Sequence, residues 1–189
     1  MFTEFGACFD GDRCATEINN SVDAFDLGLS SWAYWQYKSF ADFTTTGGTA
    51  EGMFNSDGTP QAQKLKAITR TYAHAFQGTP EEMFFQTANA SFKTSFSLDK
   101  TIDGLTEIYL NEALNYPDGY KLTVTDQNDN LVDYTEWREP GVPNYISLDL
   151  ASTDSETIKV NLTPANVSGT SSGTEAANGY SVDWSVEES

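Results

Sequence analysis

Glu4 lies between apolar neighbours in Thr3-Glu4-Phe5-Gly6, inside a short run, Phe2 to Ala7, that reads as a β-strand. One strand-helix unit further on, Trp32 and Trp35 stand in a second predicted strand, Ser30 to Tyr37. In a β/α barrel the carboxyl ends of the strands build the active site, so a carboxylate on one strand and an aromatic on the next would face one pocket. That pairing suits sugar chemistry. The carboxylate attacks or stabilises an anomeric carbon, and the flat ring supports the CH face of a pyranose.

The elements that must hold these residues alternate over the first 80 positions. Between the two strands, Thr16 to Leu27 spaces Ile18, Val22 and Phe25 three or four apart, the period of an amphipathic helix. A Gly/Thr-rich loop from Thr44 to Thr59 follows the second strand. Gln61 to Phe76 then repeats the helical period through Leu65, Ile68, Tyr72 and Phe76, with Gly78 and Pro80 as stop signals. Strand, helix, strand, helix implies parallel strands joined by crossovers. Two such strands leave both edges unpaired, so a parallel unit of this size is expected to be part of something larger.

Near residue 79 the period changes from 3.6 to 2. Phe92 to Leu98, Tyr120 to Val124, Ile146 to Leu150, Ile158 to Leu162 and Tyr180 to Val186 alternate apolar and polar residues, with Asp, Asn, Pro and Gly in the gaps. This pattern predicts an antiparallel β-sandwich, with a flexible loop over 168–179 before its final strand.

The chain of 189 residues carries 28 acidic and 10 basic side chains, a net charge of −18. Nucleic acid and anionic membrane surfaces are bound through Lys/Arg patches, which this composition does not supply. The mean hydropathy is −0.44 and no stretch is long and apolar enough for a membrane helix. Met1 is followed by Phe-Thr-Glu-Phe-Gly rather than by a basic segment and an apolar run, so no signal peptide is recognised. Four Asn-x-Ser/Thr sequons, at Asn19, Asn89, Asn161 and Asn166, favour passage through a secretory compartment. Cys8 and Cys14 flank an acidic loop; they would bridge and pin it in a secreted protein and stay free thiols in the cytosol.

Other candidates read more simply. Glu17 falls in the first turn of the predicted helix, where a carboxylate suits the dipole, and His74 in the last turn of the second helix, where its cation does. Glu51 follows the second strand, on the side where it would touch substrate; Lys38, just past that strand, would reach a polar substrate group or serve as a surface lysine. One His and two Cys give no credible zinc site, and sugar hydrolysis requires no metal. Asp126-x-Asn128-x-Asn130 imitates a calcium loop, but Leu131 and Trp137 stand where Gly and Glu are required, leaving an Asx-rich turn.

The Thr3-Glu4-Phe5-Gly6 strand, the run Ser31-Trp32-Ala33-Tyr34-Trp35-Gln36-Tyr37-Lys38 and the tail from Arg70 to Pro80 resemble the C-terminal part of glycoside hydrolase family 5, most closely its endoglycoceramidase-like branch. The resemblance implies the last two β/α units of a (β/α)8 TIM barrel over 1–80 and a β-sandwich domain over 81–189. It implies Glu4 as catalytic nucleophile, Trp35 as substrate-binding residue, and no cofactor. In the family the acid/base follows the fourth barrel strand in an Asn-Glu pair, upstream of the nucleophile. Only three residues precede Glu4, so the chain is expected to be a fragment whose N-terminal barrel is missing, inactive alone, and drawn from a secreted or lysosomal enzyme that cleaves a glycolipid such as a glycosylceramide, or a related β-glycoside. The competing expectation is a non-enzymatic carbohydrate-binding sandwich with Tyr109, Tyr116, Tyr134, Trp137 or Tyr145 as stacking platforms.

Overall fold

The structure, a computed structural model, describes residues 1–38 and 48–165. The predicted strand Tyr180 to Val186, the loop 168–179, the sequon at Asn166 and part of the Gly/Thr-rich loop lie outside the described residues.

Among the described residues three α-helices and eight strands follow one another: α1 (Asp12–Leu27), α2 (Ala62–Ile68), β1 (Tyr72–Ala75), β2 (Gly78–Gln86), β3 (Ser91–Leu98), β4 (Thr106–Tyr109), α3 (Glu112–Asn115), β5 (Tyr120–Thr125), β6 (Thr135–Trp137), β7 (Tyr145–Asp149) and β8 (Thr157–Pro164). The strands form two antiparallel sheets, ordered β1-β4-β7-β6 and β2-β3-β8-β5. Alternation explains their stacking. Phe92 and Phe96 on β3, Ile108 on β4, Leu148 on β7, and Val160 and Leu162 on β8 are each at most 1% exposed and form one core between the sheets. Their neighbours Lys93, Ser95, Lys159 and Asn161 sit one step out of phase and lie across from one another on the other face of the second sheet.

The helix expected over Gln61–Phe76 is two elements. It ends at Ile68, and β1 follows, with Tyr72 opposite Tyr109 and Ala73 opposite Ile108. The spacing Leu65, Ile68, Tyr72 and Phe76 satisfies a helix, but a ladder with β4 is available and Thr69 and Thr71 are β-branched, which weakens a helical continuation. His74 is therefore an exposed strand residue, edge-on to Tyr145 at 5.8 Å, and not a helix-terminal cation. Gly78 and Pro80, expected as stops, open β2. A Cβ on Gly78 would lie 2.0 Å from the Ser97 carbonyl oxygen, and Pro80 falls at a bulge on an edge strand, where no amide is needed. Helix α1 begins at Asp12, earlier than its periodicity suggested, which moves Glu17 out of the first turn to an exposed site.

Tyrosines mark the sandwich's chemistry. Tyr116 is 2% exposed, and its hydroxyl and that of Thr71 share a hydrogen bond of 2.8 Å. The Tyr120 hydroxyl donates to Glu136 and accepts from Arg138, both at 2.5 Å, tying the two sheets together at their rim. Burial pushes the Tyr72 hydroxyl up to about 12, with Tyr145 beside it adding to the effect; burial does the same for Tyr34, and it moves Tyr116 and Tyr120 in the same direction. A raised folded-state value means that the native protein holds protons the unfolded chain has released. Their contribution is complete below pH 10 and is lost as pH climbs from about 10 toward 12. Melting temperatures are expected to fall steeply across that window while the phenolate absorbance of the folded protein lags that of a denatured control; coincident titrations would contradict the burial.

Candidate active site

The first 80 residues place the catalytic candidates by two narrow contacts. Phe2 pairs with Trp32 and Gly6 with Trp35, both parallel, and α1 crosses between the two segments. The Phe2 amide donates to the Ser31 carbonyl and the Ala33 amide to Phe2, each at 2.8 Å. The parallel register expected of a β/α unit is present, as isolated bridges rather than long strands. It sets Glu4 between the two paired positions, alongside the segment that carries Trp35.

Phe5 makes the inner surface of this unit. It meets Phe25, Trp32 and Tyr34 edge-on at 5.3–5.5 Å and packs against the buried cluster of Cys14, Ile18 and Ala67. Glu4, next in sequence, is exposed, and Trp35 is 43% exposed. Trp32 is half-buried against Phe5 and takes the packing role, leaving Trp35 to present a face. Lys38 is exposed.

Gly6 permits this arrangement. Its φ is +111°, and an added Cβ would lie 2.3 Å from the Tyr34 ring. Gly6→Ala is expected to lower stability by about 1–3 kcal/mol through strain and overpacking. Denaturant unfolding reads the change, and an unaltered midpoint would contradict so close an approach.

The loops behind the strands are pinned from below. Cys8 and Cys14 form a disulfide that closes the loop after the Glu4 segment. Asp10 within that loop accepts from the Lys64 amide at 3.0 Å, in the first turn of α2, where a carboxylate satisfies an orphan amide and suits the dipole. The Lys64 ammonium is fully buried and donates to the carbonyls of Ala50 and Gly52 at 3.0 and 2.9 Å. Burial pulls its pKa down and the nearby Asp10 carboxylate pushes it back up. Lys64 thereby fixes the turn carrying Glu51. The Gln36 side-chain amide donates to the Glu51 carboxylate at 3.3 Å, and the Gln36 backbone amide to the Glu51 carbonyl at 2.9 Å. Glu51 is thus half-buried beside the residue that follows Trp35, across a peptide bond that is cis. Sequence reasoning placed Glu51 on this side but missed Lys64. The available signal was a lysine on the same helical stripe as Ala67 and Ile68.

A second buried cation joins this unit to the sandwich. Arg70 is 3% exposed; its guanidinium donates to Asp26 at 2.8 and 3.0 Å, to Asp23 at 2.6 Å, to the Phe85 carbonyl at 2.7 Å and to Thr87 at 3.1 Å. Thr87 donates onward to Asn19 of α1 at 2.9 Å. Burial raises the Asp26 pKa, and Arg70 opposes that rise.

The aromatic residues offered as sugar platforms on the sandwich do not gather into one. Tyr116 is in the core, and Tyr134 is half-buried against it. Tyr109 packs on Tyr72 at 5.1 Å and edge-on to Tyr145 at 5.3 Å, so these rings spend their surfaces on one another; Trp137 is 49% exposed. Among the described residues no group of three or more His, Cys, Asp or Glu is disposed to hold a metal ion, and no helix is long and apolar enough to cross a membrane.

A two-sheet antiparallel sandwich is thus fastened through a buried arginine to the segments that precede it. Residues 70–161 match the glycoside hydrolase family 5 C-terminal domain, and the chain is similar to the C-terminal part of that family's endoglycoceramidases. Among curated proteins it is similar to endoglycoceramidase I of Rhodococcus hoagii (strain 103S), 29% identical over 124 residues, covering 66% of this chain and 21% of that protein. The endoglycoceramidase of Hydra vulgaris is 27% identical over 113 residues, covering 58% of this chain and again 21% of the relative. The match therefore spans about a fifth of the length of these relatives. Among solved structures, endo-glycoceramidase II from Rhodococcus sp. superimposes with a TM-score of 0.63 at 21% identity, over 86% of this chain and 32% of that one. Sterylglucosidase 1 of Cryptococcus neoformans does so with a TM-score of 0.60 at 14% identity, over 87% and 29%. At these identities the structural likeness shows the fold alone.

Proposed function

We propose that this chain is the C-terminal part of a retaining glycoside hydrolase that cleaves a β-glycosidic bond in a glycolipid such as a glycosylceramide, or a related β-glycoside. The observation that carries the reading is the parallel pairing of Gly6 with Trp35, which sets the exposed Glu4 carboxylate on the segment beside a half-exposed indole. Similarity to endoglycoceramidases supports the substrate class.

In this proposal the residues before Arg70 are the last two β/α units of a TIM barrel. We put the division at about Arg70 instead of the expected residues 80 and 81, a placement supported by the start of the family match and by β1, which follows at Tyr72. Glu4 is the nucleophile. Its oxygen attacks the anomeric carbon while the leaving alkoxide takes a proton from a second carboxylic acid; water then displaces Glu4 from the glycosyl-enzyme, with the second group now acting as base. That second group is proposed to lie in the part of the barrel that these residues do not include. Trp35 supports the sugar ring, and Lys38 contacts a polar substrate group. Glu51, held to Gln36 and by the Lys64-bound turn, fixes the segment just beyond Trp35. No cofactor takes part, and the complete enzyme works in a secreted or lysosomal compartment, which the Cys8–Cys14 disulfide favours.

Incubated alone with glycosylceramide or a fluorogenic β-glycoside, residues 1–189 are expected to give no turnover above buffer. Steady turnover abolished by Glu4→Gln would overturn the assignment of the acid/base to another part of the enzyme.

A further inference from the structure

Four sequons are present, and the folded chain treats those it describes very differently. Asn89 stands exposed at the tip of the hairpin between β2 and β3. Its side-chain oxygen accepts from the Ser91 amide at 3.1 Å and from the Ser91 hydroxyl at 2.8 Å. The first and third residues of Asn89-Ala90-Ser91 are thus locked together in an Asx turn whose hydrogen bonds occupy the carboxamide oxygen and not the nitrogen. The turn is local, its two hydrogen bonds joining residues two apart in sequence. Asn89 is exposed, and among the described residues no helix or strand packs over it, so the tip has room for a bulky substituent.

Asn19 is the opposite case. It is half-buried on α1, its oxygen accepts from Thr87 at 2.9 Å, and Thr87 in turn accepts from the buried Arg70. The hydroxyl of its sequon, on Ser21, donates instead to the Glu17 carbonyl at 3.0 Å. A glycan at Asn19 would wedge α1 away from the β2–β3 hairpin. Asn161 is exposed, midway along the central strand β8 between Lys93 and Thr123, and lacks the turn that joins Asn89 to Ser91.

We propose that Asn89 is an N-glycan acceptor and that Asn19 stays bare in the folded, exported protein. The donor is a lipid-pyrophosphate-linked oligosaccharide. The Asn89 Nδ2 bonds to the anomeric carbon of the first sugar, the anomeric C–O bond to the pyrophosphate breaks with its electron pair leaving on the lipid pyrophosphate, and one amide proton is lost to base. The proposal rests on the secretory reading above, so its test imposes the compartment instead of assuming it.

Residues 1–189 are fused behind a signal peptide, exported from eukaryotic cells and treated with peptide N-glycosidase in heavy-oxygen water, and each sequon peptide is then read by mass spectrometry. The expected result is heavy aspartate at Asn89 and unmodified Asn19. Asn89→Gln and Ser91→Ala each remove the label at the tip, whereas Ser91→Thr, which keeps a hydroxyl acceptor, retains it. Exported protein with a bare Asn89, or with a glycan on Asn19, would overturn the proposal. Because export is forced, a bare Asn89 refutes the acceptor without bearing on the native compartment, which localisation of the intact protein decides.

Discussion

Arg70→Ala is expected to destabilise the chain by about 3–5 kcal/mol, the cost of leaving a buried carboxylate without its partner. The change removes five hydrogen bonds at once, to Asp26, Asp23, the Phe85 carbonyl and Thr87. It also removes the cation that faces the Phe85 ring at 5.3 Å. Asp26, 4% exposed, would then sit beside Asp23 without the guanidinium that pairs with both. The loss should depend on pH, with a definite sign. Burial already holds the Asp26 pKa above its ordinary 3.8 in the native protein, so the folded state keeps a proton that the unfolded chain gives up, and Asp26 ionisation costs stability as pH rises through that interval. Without Arg70 the folded pKa climbs further. The variant's deficit should therefore be largest at neutral pH and shrink on acidification. Arg70→Lys keeps the charge but loses the fork that reaches Asp26, Asp23 and Phe85 together, and should fall between the two. Denaturant unfolding at several pH values checks all three expectations; an Arg70→Ala midpoint equal to that of the native chain would contradict the junction.

The second large effect is catalytic. In a longer protein that carries this chain after the remainder of its barrel, Glu4→Gln keeps size and polarity but cannot form the glycosyl-enzyme, and kcat is expected to fall by a factor on the order of 10⁴ or more. KM should change little, because Glu4 is exposed and its loss leaves the ring surface of Trp35 in place. Trp35→Ala should do the reverse in proportion, raising KM through the lost ring surface. If Glu4→Gln left kcat within a factor of ten, the nucleophile would have to be found elsewhere.

How much of this was legible in the sequence depends on the distance over which each signal acts. The alternation of Phe92 to Leu98 and of Ile158 to Leu162 is local and became β3 and β8; the helical period around Ile18 and Val22 became α1. Tyr72 to Ala75 failed because its residues satisfy two periods at once, and only β4, more than 30 residues later, decides between them. Strands β4 and β6, of four and three residues, are too short to alternate visibly. The buried charges were the least legible. Lys64, Lys66 and Arg70 look like a basic surface cluster, but the partners that bury Arg70 lie 44 and 47 positions away in sequence. Glu4 and Trp35 were nominated as a pair from residue type and strand-end position, and the parallel bridge at Gly6 sets their segments side by side. The platforms proposed on the sandwich failed for lack of that constraint. Alternation fixed which tyrosines leave the core, but not that Tyr72, Tyr109 and Tyr145 would pack on one another.

The most direct test of the account is covalent trapping. A 2-deoxy-2-fluoro β-glycoside with a good leaving group forms a long-lived ester with the nucleophile of a retaining glycosidase, and peptide mapping of the labelled full-length enzyme finds the residue that bears it. The account predicts the sugar on the Glu4 carboxylate, in the peptide that runs through Thr3-Glu4-Phe5-Gly6. A label on any other carboxylate, with Glu4 unmodified, would contradict it.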